Sequence, residues 1–307
     1  MEQKNEPFNI NDFSSDLNSQ KNDENKSLKL KIFVITGLSL LMIILLIVII
    51  IIIISLSDNS QKNEDEEKPT KKVIGEINCI FDINSIENKT SILGTDYKKE
   101  SDFSIIIDGE KINQYIKEYL FTNYGEHSVK FELYEDINMN YMFKELKNLK
   151  SVQMNSNNSN SKILSMISTF ENCEILETFK IEGFNTQEIT SLNKLFYHTA
   201  LKDFFLDMDT SNVEDTSFMF AETNIKEIDL SGLNMSNVKN MSYMFYFCDS
   251  MKINMSGIEV GKVEDMSHMF QSCDSLNEID ILNMNTKNVK NINCSILNSF
   301  LINKEIF

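Results

Sequence analysis

The sequence predicts an α/β repeat solenoid, with one short strand and one short helix per unit of about 25 residues, preceded by a small β domain and one transmembrane helix. The main observation is a motif, clearest as Met241-Ser-Tyr-Met-Phe245, whose final phenylalanines stand at positions 143, 170, 196, 220, 245 and 270. Their spacing of 24 to 27 residues is typical of a solenoid, in which each unit buries its apolar face against its neighbours. A long apolar run near the N-terminus predicts the transmembrane helix.

That apolar run extends from Ile32 to Leu56 without a charged residue, and about 20 such residues suffice to span a bilayer. We predict a signal-anchor helix. A cleaved signal peptide is the alternative, but its N-terminal region would have 31 residues and no small-x-small cleavage site follows. Lysines precede the run and acidic residues follow it closely. This predicts a single-pass protein of the cell membrane, with its N-terminus in the cytoplasm and its C-terminal domain outside.

Composition divides the rest of the N-terminal half. Residues 1–31 are polar and mixed in charge, which predicts a disordered cytoplasmic tail. Residues 57–72 are rich in charge and asparagine and are predicted to form a flexible stalk. Residues 73–138 contain alternating apolar runs and the hairpin signal Asp108-Gly109. They are predicted to form a small β domain, which is either an independent module or the N-terminal cap of the solenoid.

The repeats themselves are assigned to residues 139–307. In the fifth unit Ile279 and Ile281 alternate with polar residues, which predicts a short strand with both isoleucines facing inward. Met241, Met244 and Phe245 have the spacing of one helical face, which predicts a helix of about two turns. The motif fades after residue 296. Residues 297–307 are expected to fold back as a cap, with pairing to a second molecule and a truncated sequence as the alternatives.

The motif also carries a family resemblance. Met241-Ser-Tyr-Met-Phe-Tyr-Phe-Cys-Asp-Ser250, with turns such as Asn234-Met-Ser-Asn-Val238, resembles the BspA-like leucine-rich-repeat surface proteins of bacteria and unicellular eukaryotes, of the MSxMFxxC repeat type. The resemblance covers roughly residues 139 to 296. It implies a leucine-rich-repeat-like solenoid at the cell surface that serves in adhesion or partner binding. It implies no catalytic residues.

Charge and residue types narrow the function classes. The net charge is −17 and the chain contains lysine but no arginine, so nucleic acid is a poor partner. The three histidines and five cysteines show no spacing typical of a metal site. We therefore predict no catalytic, cofactor-binding or metal-binding residue and no enzyme activity. The predicted function is binding of an extracellular protein or glycan, and the alternative is a signalling or sorting receptor read through the short tail.

The outward positions at the strand centres form the predicted partner-binding face. Lys180, Phe205, Asp229 and Asp280 lie on it, because solenoids usually bind through their extended sheet surface. Phe205 is apolar where its counterparts are polar. Either it faces a ligand or a neighbouring loop covers it.

Two kinds of covalent modification are also considered. Cys248 and Cys273 occupy equivalent positions on adjacent coils, so they are either buried thiols or a possible disulfide, because neighbouring strands lie about 5 Å apart. Asn88 and Asn157 begin N-x-S/T sequons in predicted loops and are the candidate glycosylation sites.

Overall fold

The structure is a computed structural model that describes residues 26, 29, 31, 42–52, 71–248, 252–276, 278–280 and 286–293. The chain forms two compact units, Met1–Thr70 and Lys71–Phe307. The predicted C-terminal cap over residues 297–307 lies outside the described residues, as do nearly all of the predicted tail and stalk.

The prediction of a transmembrane helix is wrong. In the first unit the described residues 42–52 are helical. Among the described residues no helix combines the length and the apolar character needed to cross a bilayer. The single-pass membrane localisation inferred from Ile32–Leu56 is therefore wrong as well. The absence of charge marks the run as apolar, but apolar character alone does not establish a membrane span.

The second unit contains the strands. In chain order they are β1 (Gly75–Ile83), β2 (Thr90–Ser91), β3 (Phe103–Ile107), β4 (Glu110–Ile112), β5 (Glu118–Tyr119), β6 (Gly125–Leu133), β7 (Ile137–Asn138), β8 (Leu149–Asn155), β9 (Ile163–Ser165), β10 (Thr178–Glu182), β11 (Asp203–Leu206), β12 (Glu227–Asp229), β13 (Lys252–Asn254) and β14 (Glu278–Asp280).

One sheet joins the N-terminal β region to the first repeats. Its strand order is β11-β10-β8-β1-β6-β3-β4. Strand β1 lies antiparallel to β6 and β8, and β8, β10 and β11 are parallel to one another. Alternate residues of β1 are buried, and they belong to the same hydrophobic core as the repeats. Residues 75–138 therefore cover the first coil of the solenoid and share its sheet. A second sheet, β12-β13-β14, carries the later repeats.

The motif phenylalanines form a continuous internal stack. All six are buried, from 0% exposed at Phe143 to 5% at Phe270. Successive ring centroids lie 5.4 to 6.0 Å apart. Phe131 of β6 packs edge-on against Phe143 at 5.7 Å, which closes the N-terminal end of the stack. The inward position predicted for the motif phenylalanines is confirmed.

The short helix predicted for each repeat is wrong. The motif segment contains two residues with left-handed backbone dihedrals, such as Tyr243 with φ 58° and Phe247 with φ 50°. The same two positions are left-handed in the other units, at Tyr141 and Glu145, Ser168 and Asn172, Lys194 and His198, Phe218 and Glu222, and His268 and Ser272. Left-handed residues recurring every four positions cannot belong to a right-handed helix.

Hydrogen bonds explain why this segment replaces a helix. The Tyr243 and Phe245 N–H groups donate to the next coil, to the Ser267 carbonyl at 2.9 Å and the Met269 carbonyl at 3.0 Å. The Tyr246 N–H, next along the chain, donates within its own coil, to the Tyr243 carbonyl at 3.1 Å. An α-helix would direct every N–H group back along its own segment. Alternate bonding between coils makes the protein a mostly β solenoid of about five turns.

We expect Phe245→Ala to lower the free energy of unfolding by about 3–5 kcal/mol, because it removes a fully buried ring and leaves a cavity in the stack. Phe247→Ala is the matched control. It removes the same side chain from a position that is 52% exposed, and should cost less than about 1 kcal/mol. Denaturant titration followed by circular dichroism measures both, since the chain has no tryptophan. Equal costs would contradict the assigned stack.

The left-handed turns predict an unusual response to glycine. Ser272 has φ 58°, so Ser272→Gly should raise the free energy of unfolding by up to about 1 kcal/mol, since glycine adopts this conformation without strain. In a helix the same change would cost roughly 0.5–1 kcal/mol. Ser151→Gly in β8 is the control and should be destabilising. A loss of stability at Ser272 would argue for a helix.

Candidate functional site

The predicted partner-binding residues lie in a common row across the strands. Lys180 of β10 is aligned with Phe205 of β11. Asn254 of β13 is aligned with Asp229 of β12 on one side and with Asp280 of β14 on the other. The row is divided between two sheets, because β11 ends the first and β12 begins the second. Phe205 therefore lies on the edge strand of the first sheet, and Asp229 lies on the edge strand of the second sheet.

Phe205 is not covered by a neighbouring loop. Its side chain is 49% exposed, whereas the inward residues beside it, Phe204 and Leu206, are only partly exposed and pack against the core. Three consecutive apolar residues thus reach the surface or come close to it at the end of one sheet.

A break in strand pairing creates this site. Over the fully described stretch 200–235, no ladder joins β11 to β12. The same two coils stay in contact elsewhere. The Phe196 N–H donates to the Met219 carbonyl at 3.0 Å, and the Phe196 and Phe220 rings stack at 5.7 Å. The gap is therefore confined to the sheet face.

Both strands at the break follow shortened turns. Cys173 and Cys273 stand three residues before Leu176 and Leu276, which precede their strands, whereas Thr199 is separated from Leu201 by one residue. Thr223 and Ile225 show the same deletion. The threonine hydroxyls donate to carbonyls of their own coils, at Phe196 (3.0 Å) and Phe220 (2.8 Å). The break thus lies between the two units in which the segment before the strand is one residue shorter.

The gap is an open groove of about 550 Å³. Its walls come from β11, from β12 and the turn after it, and from β13. The lining residues are Lys202, Asp203, Phe204, Phe205, Leu206, Glu227, Ile228, Asp229, Ser231, Gly232, Leu233, Lys252 and Asn254. We call it the β11–β12 groove. Phe204, Leu206, Ile228 and Leu233 contribute apolar surface to this groove, and charged side chains surround them.

The rim of the β11–β12 groove is acidic. Its two lysines are each paired with a glutamate from a neighbouring strand, Lys202 with Glu177 at 2.5 Å and Lys252 with Glu278 at 3.5 Å. Three further carboxylates, those of Asp203, Glu227 and Asp229, line the groove. The site therefore carries an excess of negative charge.

Local hydrogen bonds keep Asp229 ionised. Its Oδ1 atom accepts the Ser231 backbone N–H at 2.9 Å and the Asn254 amide at 3.0 Å. The hydrogen bond from the Ser231 backbone is the main cause that holds the pKa of this carboxyl below its ordinary value. A cationic partner would thus meet a fixed negative charge on the β12 side.

The other candidate residues lie away from the groove. Cys248 and Cys273 are buried thiols that no disulfide joins, and the Cys273 thiol donates to the Phe245 carbonyl at 2.9 Å. Asn88 and Asn157 are exposed in the loops after β1 and β8, where a glycan would have room.

The histidines form local polar contacts. Both ring nitrogens of His127 are engaged, Nδ1 with Asp108 at 2.7 Å and Nε2 with the Asn123 carbonyl at 3.0 Å. His198 contacts Glu222 at 2.9 Å. Among the described residues no cluster of three histidine, cysteine or acidic side chains is arranged to hold a metal ion.

Sequence reasoning missed the half-exposed floor of the groove. The strand pattern places Phe204 and Leu206 at the inward positions that Ile279 and Ile281 hold in the fifth unit, and so predicts that both are buried. The signal that could have located the break is the pair of deletions after Thr199 and Thr223. A second missed feature is an outer row of stacked rings, Phe218, Tyr243 and His268, at centroid distances of 4.5 Å. These residues occupy the left-handed position of the motif. A helical motif segment would have placed their side chains differently.

Comparison with known proteins agrees with the repeat architecture. The family described as "Mycoplasma protein of unknown function, DUF285" matches residues 117–231 and 223–306. Neither a curated protein nor a solved structure matches the chain. The family match fits the resemblance to BspA-like surface repeat proteins. Because it spans more than half of the sequence, the chain belongs to the DUF285 family.

Proposed function

We propose that this protein is a non-catalytic binding module, whose solenoid binds a protein or glycan partner through the exposed sheet face around the β11–β12 groove. We also propose that its repeats are of the MSxMFxxC type of the BspA-like proteins. We do not propose the alternative of a signalling or sorting receptor, because it relied on a membrane-spanning helix and no helix among the described residues has the length and apolar character for one.

The observation that carries the proposal is the exposure of Phe205 beside an accessible part of the core. An isolated exposed apolar residue needs no explanation. Here the ring stands at the rim of a concave groove whose floor includes Phe204 and Leu206. Aromatic residues next to a desolvated pocket are the usual anchors of binding energy.

Elsewhere on the described coils, several exposed lysines pair with a glutamate of the neighbouring coil. Lys162 pairs with Glu188, Lys239 with Glu214 and Lys290 with Glu264, at 2.8 to 3.1 Å. Such exposed pairs contribute little stability, but they leave a polar, hydrated surface. At the β11–β12 groove such charges lie beside the exposed Phe205 and the partly exposed Phe204 and Leu206, and this combination supports a localised binding site there.

We expect Phe205→Ser to weaken binding at least tenfold, or about 1.4 kcal/mol, and to leave the melting temperature nearly unchanged, because the ring is half exposed. The probes are dodecapeptides selected from a random display library and hits from a glycan array, both obtained with the wild-type full chain. Phe247→Ser, which alters a similarly exposed ring on the motif side of the coil, is the matched control and should bind normally.

Two results would count against the proposal. Binders that tolerate Phe205→Ser would place the site elsewhere. A large fall in melting temperature would show that Phe205 belongs to the core and not to a binding surface.

A further inference from the structure

We propose that the β11–β12 groove takes an extended, basic peptide segment of a partner protein, which adds as a strand between β11 and β12. This inference rests on the proposed function and names the occupant of the same site. Strand addition is a general mode of peptide recognition, in which backbone hydrogen bonds supply affinity and alternate side chains supply specificity.

Backbone groups on both sides of the groove are directed into it. The Asp207 N–H donates to the Ile181 carbonyl of β10, and alternate residues of a parallel strand bond to opposite neighbours. Asp203 and Phe205 therefore bond toward β10, and the backbone groups of Phe204 and Leu206 face the gap.

The same reasoning applies across the gap. The Leu230 N–H donates to the Asn254 carbonyl of β13, so Leu230 and Ile228 bond toward β13. The backbone groups of Glu227 and Asp229 then face β11. Over the described residues 202–207 and 226–230, no backbone hydrogen bond crosses the gap. Two strand edges thus present donors and acceptors to a single space.

The space suits a short strand. One residue of a strand occupies about 160 Å³, given a rise of about 3.3 Å, a strand spacing of about 4.8 Å and a layer thickness of about 10 Å. A groove of about 550 Å³ has room for a short segment. The strands that flank it are also short, with three residues in β12 and four in β11.

Side chains on the two faces of the groove define the peptide pattern. Inward residues of an added strand would meet Phe204, Leu206 and Ile228, so they should be apolar. Outward residues would stand in the row between Phe205 and Asp229. Because the rim has an acidic excess, with Asp203, Glu227 and Asp229 on both strands, these outward residues should be lysine or arginine.

The experiment measures binding of three fluorescein-labelled heptapeptides to the full chain by fluorescence anisotropy. The first alternates lysine and valine, the second alternates glutamate and valine, and the third has the first sequence with N-methylated backbone amides. We expect the lysine–valine peptide to bind and the other two to bind at least tenfold more weakly. N-methylation removes the donors that strand pairing needs, and glutamate reverses the charge.

Variants test the position of the peptide. Glu227→Gln removes a rim charge and should weaken binding of the lysine–valine peptide about threefold or more. The effect should be smaller at high salt. Glu214→Gln is the matched control. Its carboxylate is also exposed but pairs with Lys239 outside the groove, so binding should not change. Phe205→Ser should weaken binding as well.

Hydrogen exchange then locates the contact. Peptide binding should slow exchange at the amides of Phe204, Leu206, Glu227 and Asp229, because these face the gap. Protection instead at β4, the outer strand of the first sheet, would overturn the proposal. So would equal binding of the N-methylated peptide, or no binding of the lysine–valine peptide at about 1 mM.

The same data separate this inference from the proposed function. If the heptapeptide fails but display or glycan-array binders still depend on Phe205, the binding function stands and strand addition is wrong. If the chain instead self-associates through this site, sedimentation will show a concentration-dependent dimer that Phe205→Ser abolishes, and the occupant is a second copy. If nothing depends on Phe205, both proposals fail.

Discussion

The stack of phenylalanine rings along the solenoid is the contact on which the rest of the repeat structure depends. The rings from Phe170 to Phe245 are each buried between the rings of the coils before and after, and Phe143 and Phe270 end the row. This packing sets the distance between coils, and that distance lets backbone groups pair across them. The stack is also continuous with the N-terminal β region through Phe131. A solenoid needs its first coil covered, and here the cover shares the sheet and the core of the repeats.

The left-handed turns follow from the same constraint. A helix in the motif segment would satisfy its own backbone groups and leave none for the next coil. In the observed segment some backbone N–H groups, such as that of Tyr243, bond to the next coil. Others, such as that of Tyr246, bond within their own coil. Non-glycine residues in the left-handed region carry strain. Repeated bonding between coils and the burial of each motif phenylalanine offset that strain in every unit.

The proposed binding site is possible because the coils are held together in more than one place. Between β11 and β12 the strand pairing is lost, but the Phe196–Phe220 stack and the backbone bond from Phe196 to Met219 remain. The sheet can therefore open without separating the coils. Loss of pairing exposes part of the core and leaves two strand edges facing each other. An exposed strand edge can pair with other chains, so proteins normally cover it or place charges beside it. The acidic rim of the β11–β12 groove is consistent with selective pairing at this edge.

The sequence alone determined the period, the buried phenylalanines and the row containing Lys180, Phe205, Asp229 and Asp280, because apolar spacing records which side chains face inward. It did not determine how the backbone satisfies its hydrogen bonds. The spacing of Met241, Met244 and Phe245 fits both a helix and a left-handed turn, and the choice depends on a partner coil about 25 residues away. The apolar run Ile32–Leu56 likewise indicated composition and did not by itself establish a membrane span. The β11–β12 groove was decided only by tertiary structure, since it arises from a missing pairing between two strands that each look ordinary in sequence.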